Sequence, residues 1–318
     1  MIRLGVDLGG TGIKVGLVEN GRILKKGSCP TGAADGAEAV IDRIAALCRE
    51  VAGEKLKTLS SAGIGTPGVL SADGGEVILA ANLNFVHTPL AAELSRRLGF
   101  PVRAENDANC AALAESRFGA AAGCRNVVLV TLGTGVGGGV IVGGEILSGA
   151  HCSAGELGHM TLAMDGERCT CGRRGCLEAY ASATALVRDT RRAMEAHPDS
   201  ALWRAAGGSE GLPREELLRR VNGRTAFLAA REGDAAASAV VSAYIHALAE
   251  GIANLVNLFR PEKVLLGGGI SHEGDPLLLP LEEEVRALTF GGSIGIPIPP
   301  IRRAALGNDA GIIGAALL

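Results

Sequence analysis

Two stretches of this chain, IRLGVDLGGTGIKVGLVENGRILKKGS near the start and VVLVTLGTGVGGGVIVGGEILSG at 127–149, are written to one plan. Each reads as strand, glycine turn, strand, tight turn, strand. Leu132-Gly133 answers Leu8-Gly9, and Gly143-Gly144 before Ile146-Leu147 answers Asn20-Gly21 before Ile23-Leu24, a repeat of 123 to 124 residues. An Asn-Gly pair between alternating apolar residues is a strong hairpin signal, because both turn residues need positive φ. A chain duplicated in this way is committed to two related halves. Two such units facing one another could cradle a polyphosphate on their backbone N–H groups. A duplicated structural hairpin without a ligand is the other reading of the same residues. A dinucleotide fold or a Walker loop would require a helix directly after the glycines. Here Lys14-Val15-Gly16-Leu17-Val18 keeps strand alternation and no Gly-Lys-Ser/Thr follows.

Length and charge narrow the class. A chain of 318 residues fits two domains and buries roughly 75% of its unfolded surface. A net charge of −3 with 3% aromatic residues offers neither the basic footprint nor the stacking platforms of a nucleic-acid binder. The opening MIRLGVDLGG lacks the basic and apolar succession of a secretory signal, so a cytoplasmic protein is expected. Val127 to Gly144 is uncharged and apolar, but seven glycines and two threonines interrupt it, which suits strand, turn and strand better than a membrane span. The eight cysteines are then thiols or ligands rather than staples. Cys29, Cys48, Cys110 and Cys124 read as small apolar residues.

One segment, GELGHMTLAMDGERCTCGRRGCLE from Gly155 to Glu178, concentrates soft ligands. His159, Cys169, Cys171 and Cys176 give His-x9-Cys-x-Cys-x4-Cys, the donor set of a closed tetrahedral zinc site. Arg168, Arg173 and Arg174 are placed to offset the thiolate charge, and Gly172 and Gly175 let the chain turn back. Four unrelated residues, or a disulfide pair, are the alternatives. Cys-x-Cys thiols rarely meet disulfide geometry.

Elsewhere the periodicity predicts helices over Ala37 to Arg49, Pro89 to Leu98 and Cys110 to Arg117, a strand running into a glycine and proline loop over Leu59 to Val69, and a strand end over Val102 to Asn109 passing into the Cys110 helix. Leu177 to His197 reads as one helix stopped by Pro198, and Pro213 to Val221 as a short one closed by Gly223. Thr225 and Asp234 read as N-caps, the latter opening a long helix to Arg260. Ala205 to Gly211 is expected to be a loop. Lys263 to Leu266 is a buried strand delivering Gly267-Gly268-Gly269, and Asn308-Asp309 starts a last helix. The polar run Glu105-Asn106-Asp107 ends a strand, where open α/β sheets place their sites.

Together DLGGTGIK, ENDANCAA, LVTLGTGVGGGVIVGG, GELGH with its cysteines, and LLGGGI resemble the ROK (repressor, open reading frame, kinase) sugar kinases over essentially the whole chain, most closely the bacterial glucokinases. The resemblance implies a two-domain α/β fold of the actin-like ATPase (ribonuclease H-like) class, with a central cleft and a structural zinc site. The small domain would span 1–115, with 305–318 packing back on it, and the large domain 116–304. It implies ATP and Mg²⁺ as cofactors beside Zn²⁺, a small-molecule hexose as partner, no nucleic acid or membrane, and a homodimer.

The carried-over roles are specific. Asp107 would be the general base for a sugar hydroxyl; on the residues alone Asn106-Asp107 reads first as a helix-capping pair, and both roles are compatible. Gly68, Asn106, Asp107, Glu156, His159 and Glu178 match sugar-binding positions; Glu178 alone could simply be a carboxylate in a first helical turn. Asp7, Gly9, Gly10, Thr11 and Lys14 would form the first phosphate and Mg²⁺ loop, with Lys14 either on the phosphates or facing solvent. Thr134, Gly135 and Gly137 would form the second loop, and Gly268 and Gly269 the adenosine wall. His159 would serve both zinc and sugar, one ring nitrogen for each. The implied reaction is phosphorylation of glucose at its 6-hydroxyl. N-acetylglucosamine or N-acetylmannosamine is the alternative substrate, because glucose-specific relatives often carry Trp where this chain has Phe85. Asn82 and Asn84 could touch the sugar or shape the loop, and Cys152 occupies a variable position. A sugar-sensing regulator of the family would carry a helix-turn-helix ahead of a first loop that here begins at residue 7.

Overall fold

The computed structural model describes residues 1–149, 152–208 and 211–318. The chain opens with strands β1 (Ile2–Leu8), β2 (Gly12–Glu19) and β3 (Arg22–Pro30), then helix α1 (Ala37–Ala52), β4 (Ala62–Thr66), β5 (Val69–Leu70), β6 (Val77–Ala80) and β7 (Phe85–Thr88). Helix α2 (Leu90–Leu98), β8 (Val102–Asn106) and α3 (Asp107–Phe118) follow, then β9 (Val127–Leu132), β10 (Val136–Val142) and β11 (Glu145–Ile146). A helical stretch comprises α4 (Glu178–Ala181), α5 (Ala183–Ala196), α6 (Leu202–Ala205), α7 (Arg214–Arg220), α8 (Thr225–Arg231) and α9 (Ala235–Phe259). The chain closes with β12 (Lys263–Gly267), α10 (Asp275–Leu288), β13 (Ile301–Arg303) and α11 (Ala310–Ala315).

Two compact units result. The first holds Met1–Leu129, Gly138–Gly155 and Ala304–Leu318, and the second Val130–Gly137 and Glu156–Arg303. The two five-stranded sheets have the same order, β3-β2-β1-β4-β8 and β11-β10-β9-β12-β13. The duplication legible in three strands therefore extends to five. In the first sheet β1 pairs antiparallel with β2 and parallel with β4, and β4 is parallel with β8. In the second, β10 and β11 are antiparallel and β12 and β13 parallel. The hairpin turns are as expected: Asn20 and Gly21, and Gly143 and Gly144, all have positive φ.

The first core forms where Leu4, Val6 and Leu8 of β1 meet Ile13 and Val15 of β2, Ile64 of β4 and the α1 stripe Val40, Ile41, Ile44, Cys48 and Val51. That helical spacing puts one apolar face of α1 on the sheet. Phe85 is wholly buried in the same core, so the side chain compared with the relatives' Trp is a packing residue here. A third, smaller sheet, β5-β6-β7, was not legible because its strands are only two to four residues long.

On the other face of the first sheet, α11 sits backbone against backbone. A Cβ placed on Gly5 would lie 1.9 Å from the Ile312 carbonyl oxygen, one on Gly63 1.9 Å from that of Ala315, and one on Gly314 1.7 Å from that of Cys110. Glycine is thus required on both sides. Buried Glu115 of α3 adds a tie, accepting from the backbone N–H of Leu306 at 2.7 Å. Gly314→Ala is expected to lower the melting temperature by roughly 2–12 °C, from an overpacking cost of about 1–3 kcal/mol. An unchanged melting temperature by calorimetry would show that α11 is not seated this closely.

Two expectations change in the second unit. Leu177 to His197 is two helices, because Ser182 leaves the helical region (φ −80°, ψ 162°) and its hydroxyl caps α5 by accepting from the Ala185 N–H. Thr225 is the first residue of α8 rather than its cap, with its hydroxyl accepting from the Asn222 N–H. Within Ala205 to Gly211, Ala205 ends α6, and 209 and 210 lie outside the described residues. Asp234 does cap α9, accepting from the Ala237 N–H at 2.8 Å. By length and composition α9 could cross a membrane. Its apolar face instead packs on α4, α5, α8 and α10, with Tyr244, Leu248, Ile252 and Leu255 buried, so it is a core helix.

Candidate functional site

In the first unit, strand register brings the expected residues to one sheet end. Asp7 pairs with Gly65, Gly65 with Glu105, and Thr66 with Asn106, so the C-terminal ends of β1, β4 and β8 lie side by side about 4.8 Å apart. Asp107 follows as the first residue of α3. Asn106 is the N-cap, its Oδ1 accepting from Ala108 N–H at 2.9 Å and Asn109 N–H at 3.2 Å. The Asp107 carboxylate also accepts from Ala108 N–H at 2.8 Å. Both capping and a half-buried carboxylate at the strand end are therefore present in the same pair. Gly65 permits this approach, since a Cβ there would lie 3.2 Å from Cys110 Sγ and 3.5 Å from Asp107 Cα. Cys110 is wholly buried, and burial, reinforced by the Glu105, Asp107 and Asp7 carboxylates, pushes its thiol well above the usual range. It is a neutral floor under a concentration of negative charge. Gly68 makes a tight turn at φ 99°, where a Cβ would lie 2.3 Å from the Leu79 carbonyl oxygen.

The loop after β1 is braced from beneath. Gly9 N–H donates to Gly12 O at 2.9 Å, Thr31 Oγ1 donates to Gly9 O at 2.6 Å, and Thr31 N–H donates to Thr11 O at 3.1 Å. A Cβ on Gly10 would meet Asn82 at 3.2 Å. Asn82 thus shapes this loop, and Asn84 donates to Ala33 O. Thr31, wholly buried, carried no sequence signal; only the β2–β3 register, Gly12 opposite Pro30, places it there. Lys14 neither extends freely into solvent nor stands alone: its Nζ donates to Asp7 Oδ2 at 3.0 Å across the β1–β2 register.

The second unit holds the corresponding glycine turn after β9. Gly133 N–H donates to Gly135 O at 3.0 Å, and Ala183 N–H and Thr184 Oγ1 at the start of α5 donate to Gly133 O and Thr134 O. Gly268, at φ 79°, abuts β9, its would-be Cβ 2.3 Å from Leu132 O. Gly269 opens a 3₁₀ turn, and Gly137 lies within β10. Glu178 lies under the same turn. Its Oε2 accepts from Val136 N–H at 3.1 Å, and a Cβ on Gly135 would sit 2.2 Å from that oxygen.

His159, Cys169, Cys171 and Cys176 converge, their ligand atoms all within 4.8 Å of one another. His159 Nδ1 is 3.6 Å from Cys169 Sγ, and the Cys171 and Cys176 sulfurs are 3.7 Å apart. A tetrahedral ion with zinc–ligand lengths would set these edges at about 3.6 and about 3.8 Å. The donor set fits zinc. Arg173 bonds His159 O and Thr161 Oγ1, and Arg174 bonds Gly166 O. Burial pushes the Cys169 thiol up to about 12, whereas the Arg173 backbone N–H holds Cys171 below the usual thiol range. Glu156 is exposed, and its carbonyl accepts from His159 N–H at 3.0 Å, one 3₁₀ turn on. His159 presents Nδ1 to the cysteines.

Two mixed sheets of one strand order, with glycine turns and carboxylates at the strand ends, define an α/β chain of the class of the actin-like ATPase kinases. The ROK family model matches residues 3–318, and the chain belongs to the ROK family. It is 41% identical to the glucokinase of Thermotoga maritima over 98% of this chain and 95% of that one. It is 38% identical to the glucokinase of Streptomyces coelicolor, over 99% and 96%. The crystal structure of a ROK family glucokinase from Streptomyces griseus in complex with glucose and AMPPNP superposes with a TM-score of 0.82 at 36% identity, covering 99% of this chain and 98% of that one.

Proposed function

We propose that this chain is an ATP-dependent glucokinase. The observation that carries the reading is the placement of Asp107 immediately beyond β8, the strand next but one to that of Asp7, and beside Asn106, in a chain of glucokinase-like sequence from end to end. The glucose 6-hydroxyl oxygen attacks the γ-phosphorus as the bond to the β–γ bridging oxygen breaks, and the hydroxyl proton passes to the Asp107 carboxylate. Asn106, Glu156, His159 and Glu178 hold the sugar, carboxylates suiting adjacent hydroxyls because each oxygen accepts one hydrogen bond. The glycine turns at Gly9–Thr11 and Thr134–Gly137 offer backbone N–H groups to phosphates.

Asp7, a single carboxylate at the first turn, suits Mg²⁺, which takes few protein ligands beside phosphate and water and neutralises phosphate charge when bound. It would exchange its Lys14 partner for the ion. His159, Cys169, Cys171 and Cys176 would hold zinc as scaffold, since four protein ligands leave no open position. ADP release from Mg·ATP, compared for glucose, N-acetylglucosamine, N-acetylmannosamine, fructose and no sugar, tests the assignment. Strong dependence on glucose is expected. Preference for an acetamido sugar would keep the chemistry and replace the substrate, and sugar-independent or absent release would end the kinase reading.

A further inference from the structure

Glu178 is engaged at both oxygens by segments far apart in the chain. Oε2 accepts the Val136 N–H at 3.1 Å, while Oε1 accepts the Thr170 hydroxyl at 2.7 Å, with Cys169 Sγ 3.4 Å away. Thr170 lies between two of the clustered cysteines, on the exposed knuckle closed by the Gly172 N–H to Cys169 O and Cys169 N–H to Arg173 O bonds. A carboxylate only accepts, so the hydroxyl donates. The contact is short, as hydrogen bonds to ionised oxygen are. The other oxygen is equally constrained: Gly135 lies so close to Oε2 that no side chain fits between loop and carboxylate. Rotation of the carboxylate would break both bonds together.

We propose that Thr170 is a positioning residue: its hydroxyl sets the rotation of the Glu178 carboxylate and so ties the order of the metal-binding knuckle to the Thr134–Val136 turn. This rests on the glucokinase reading, in which that turn meets nucleotide phosphate and Glu178 meets sugar. One side chain between two metal ligands then acts on both substrates without touching either. The role is separable from metal binding, because Thr170 offers no soft ligand. It is also separable from folding, because the side chain is exposed.

The test compares Thr170→Val, which keeps the shape without the hydroxyl, with Thr170→Ser, which keeps the hydroxyl. Zinc content, melting temperature, amide hydrogen exchange of the 133–137 segment, and KM and kcat for glucose and ATP are measured on each. Thr170→Val is expected to retain zinc and melting temperature, to exchange the Val136 amide several-fold faster, and to raise the KM values more than it lowers kcat. The combined fall in kcat/KM for glucose is roughly 10- to 150-fold, the loss of one hydrogen bond to a charged group. Thr170→Ser is expected to restore wild-type behaviour. The proposal is overturned if Thr170→Val matches wild type in exchange and kinetics, if Thr170→Ser is as impaired as the valine variant, or if Thr170→Val loses zinc. Should the wild-type protein not phosphorylate glucose, the functional reading fails, and the exchange comparison still decides the coupling.

Discussion

Asp107→Asn is expected to reduce turnover about 10²- to 10⁴-fold, the usual worth of a general base, while glucose still binds. Asparagine has the same size, and its Oδ1 can still accept the Ala108 N–H that Asp107 accepts at 2.8 Å, so the start of α3 is preserved. The negative charge and the ability to take a proton are removed, while size and backbone contact are kept. Steady-state turnover by coupled ADP detection and glucose affinity by calorimetry separate the two effects. Turnover near that of wild type would remove Asp107 from the role of base, leaving it as part of the α3 cap. Loss of glucose binding would instead make it a binding residue.

Cys171→Ser is expected to reduce zinc from one equivalent to well below it and to raise the KM for glucose. Cys171 is the exposed member of the four, 3.7 Å from Cys176, so the replacement does not disturb the core. A hard hydroxyl does not replace a thiolate on zinc. In the proposed site His159 would then lose the partner that fixes its ring, and Nε2 would no longer be held toward the sugar. Metal analysis after dialysis, beside a glucose titration of initial rates, reads both effects. Unchanged zinc together with unchanged KM would dissociate the cluster from the metal and from the sugar.

Much of this was legible from the sequence, for identifiable reasons. The two hairpins were readable because Asn20-Gly21 and Gly143-Gly144 are demanded by positive φ. The cysteine cluster was readable because its ligands lie within one short segment. The Asn106 cap was readable because a polar pair precedes an alanine-rich run. What escaped depended on contacts between distant segments. The break at Ser182 is hidden by apolar periodicity that runs through it, and is visible only once Ala183 is seen to donate to Gly133 O. Thr31 acquires its place under Gly9 from sheet register alone. Glu178 looked like a sugar ligand or a first-turn carboxylate; its bond to Val136 N–H joins residues 42 positions apart, which no local pattern encodes.

The seat of α11 has a consequence for the order in which the molecule can be made. The surface formed by Gly5 of β1, Gly63 of β4 and the α3 backbone is synthesised early, yet the helix that covers it belongs to Ala304–Leu318. All of Glu156–Arg303 emerges in between. At synthesis rates of roughly 5–20 residues per second, that is a wait on the order of ten seconds. The half of the chain begun first is therefore finished last: a nascent protein halted at Arg303 carries every residue of its second unit and a first unit whose backbone seat still stands open to chaperones.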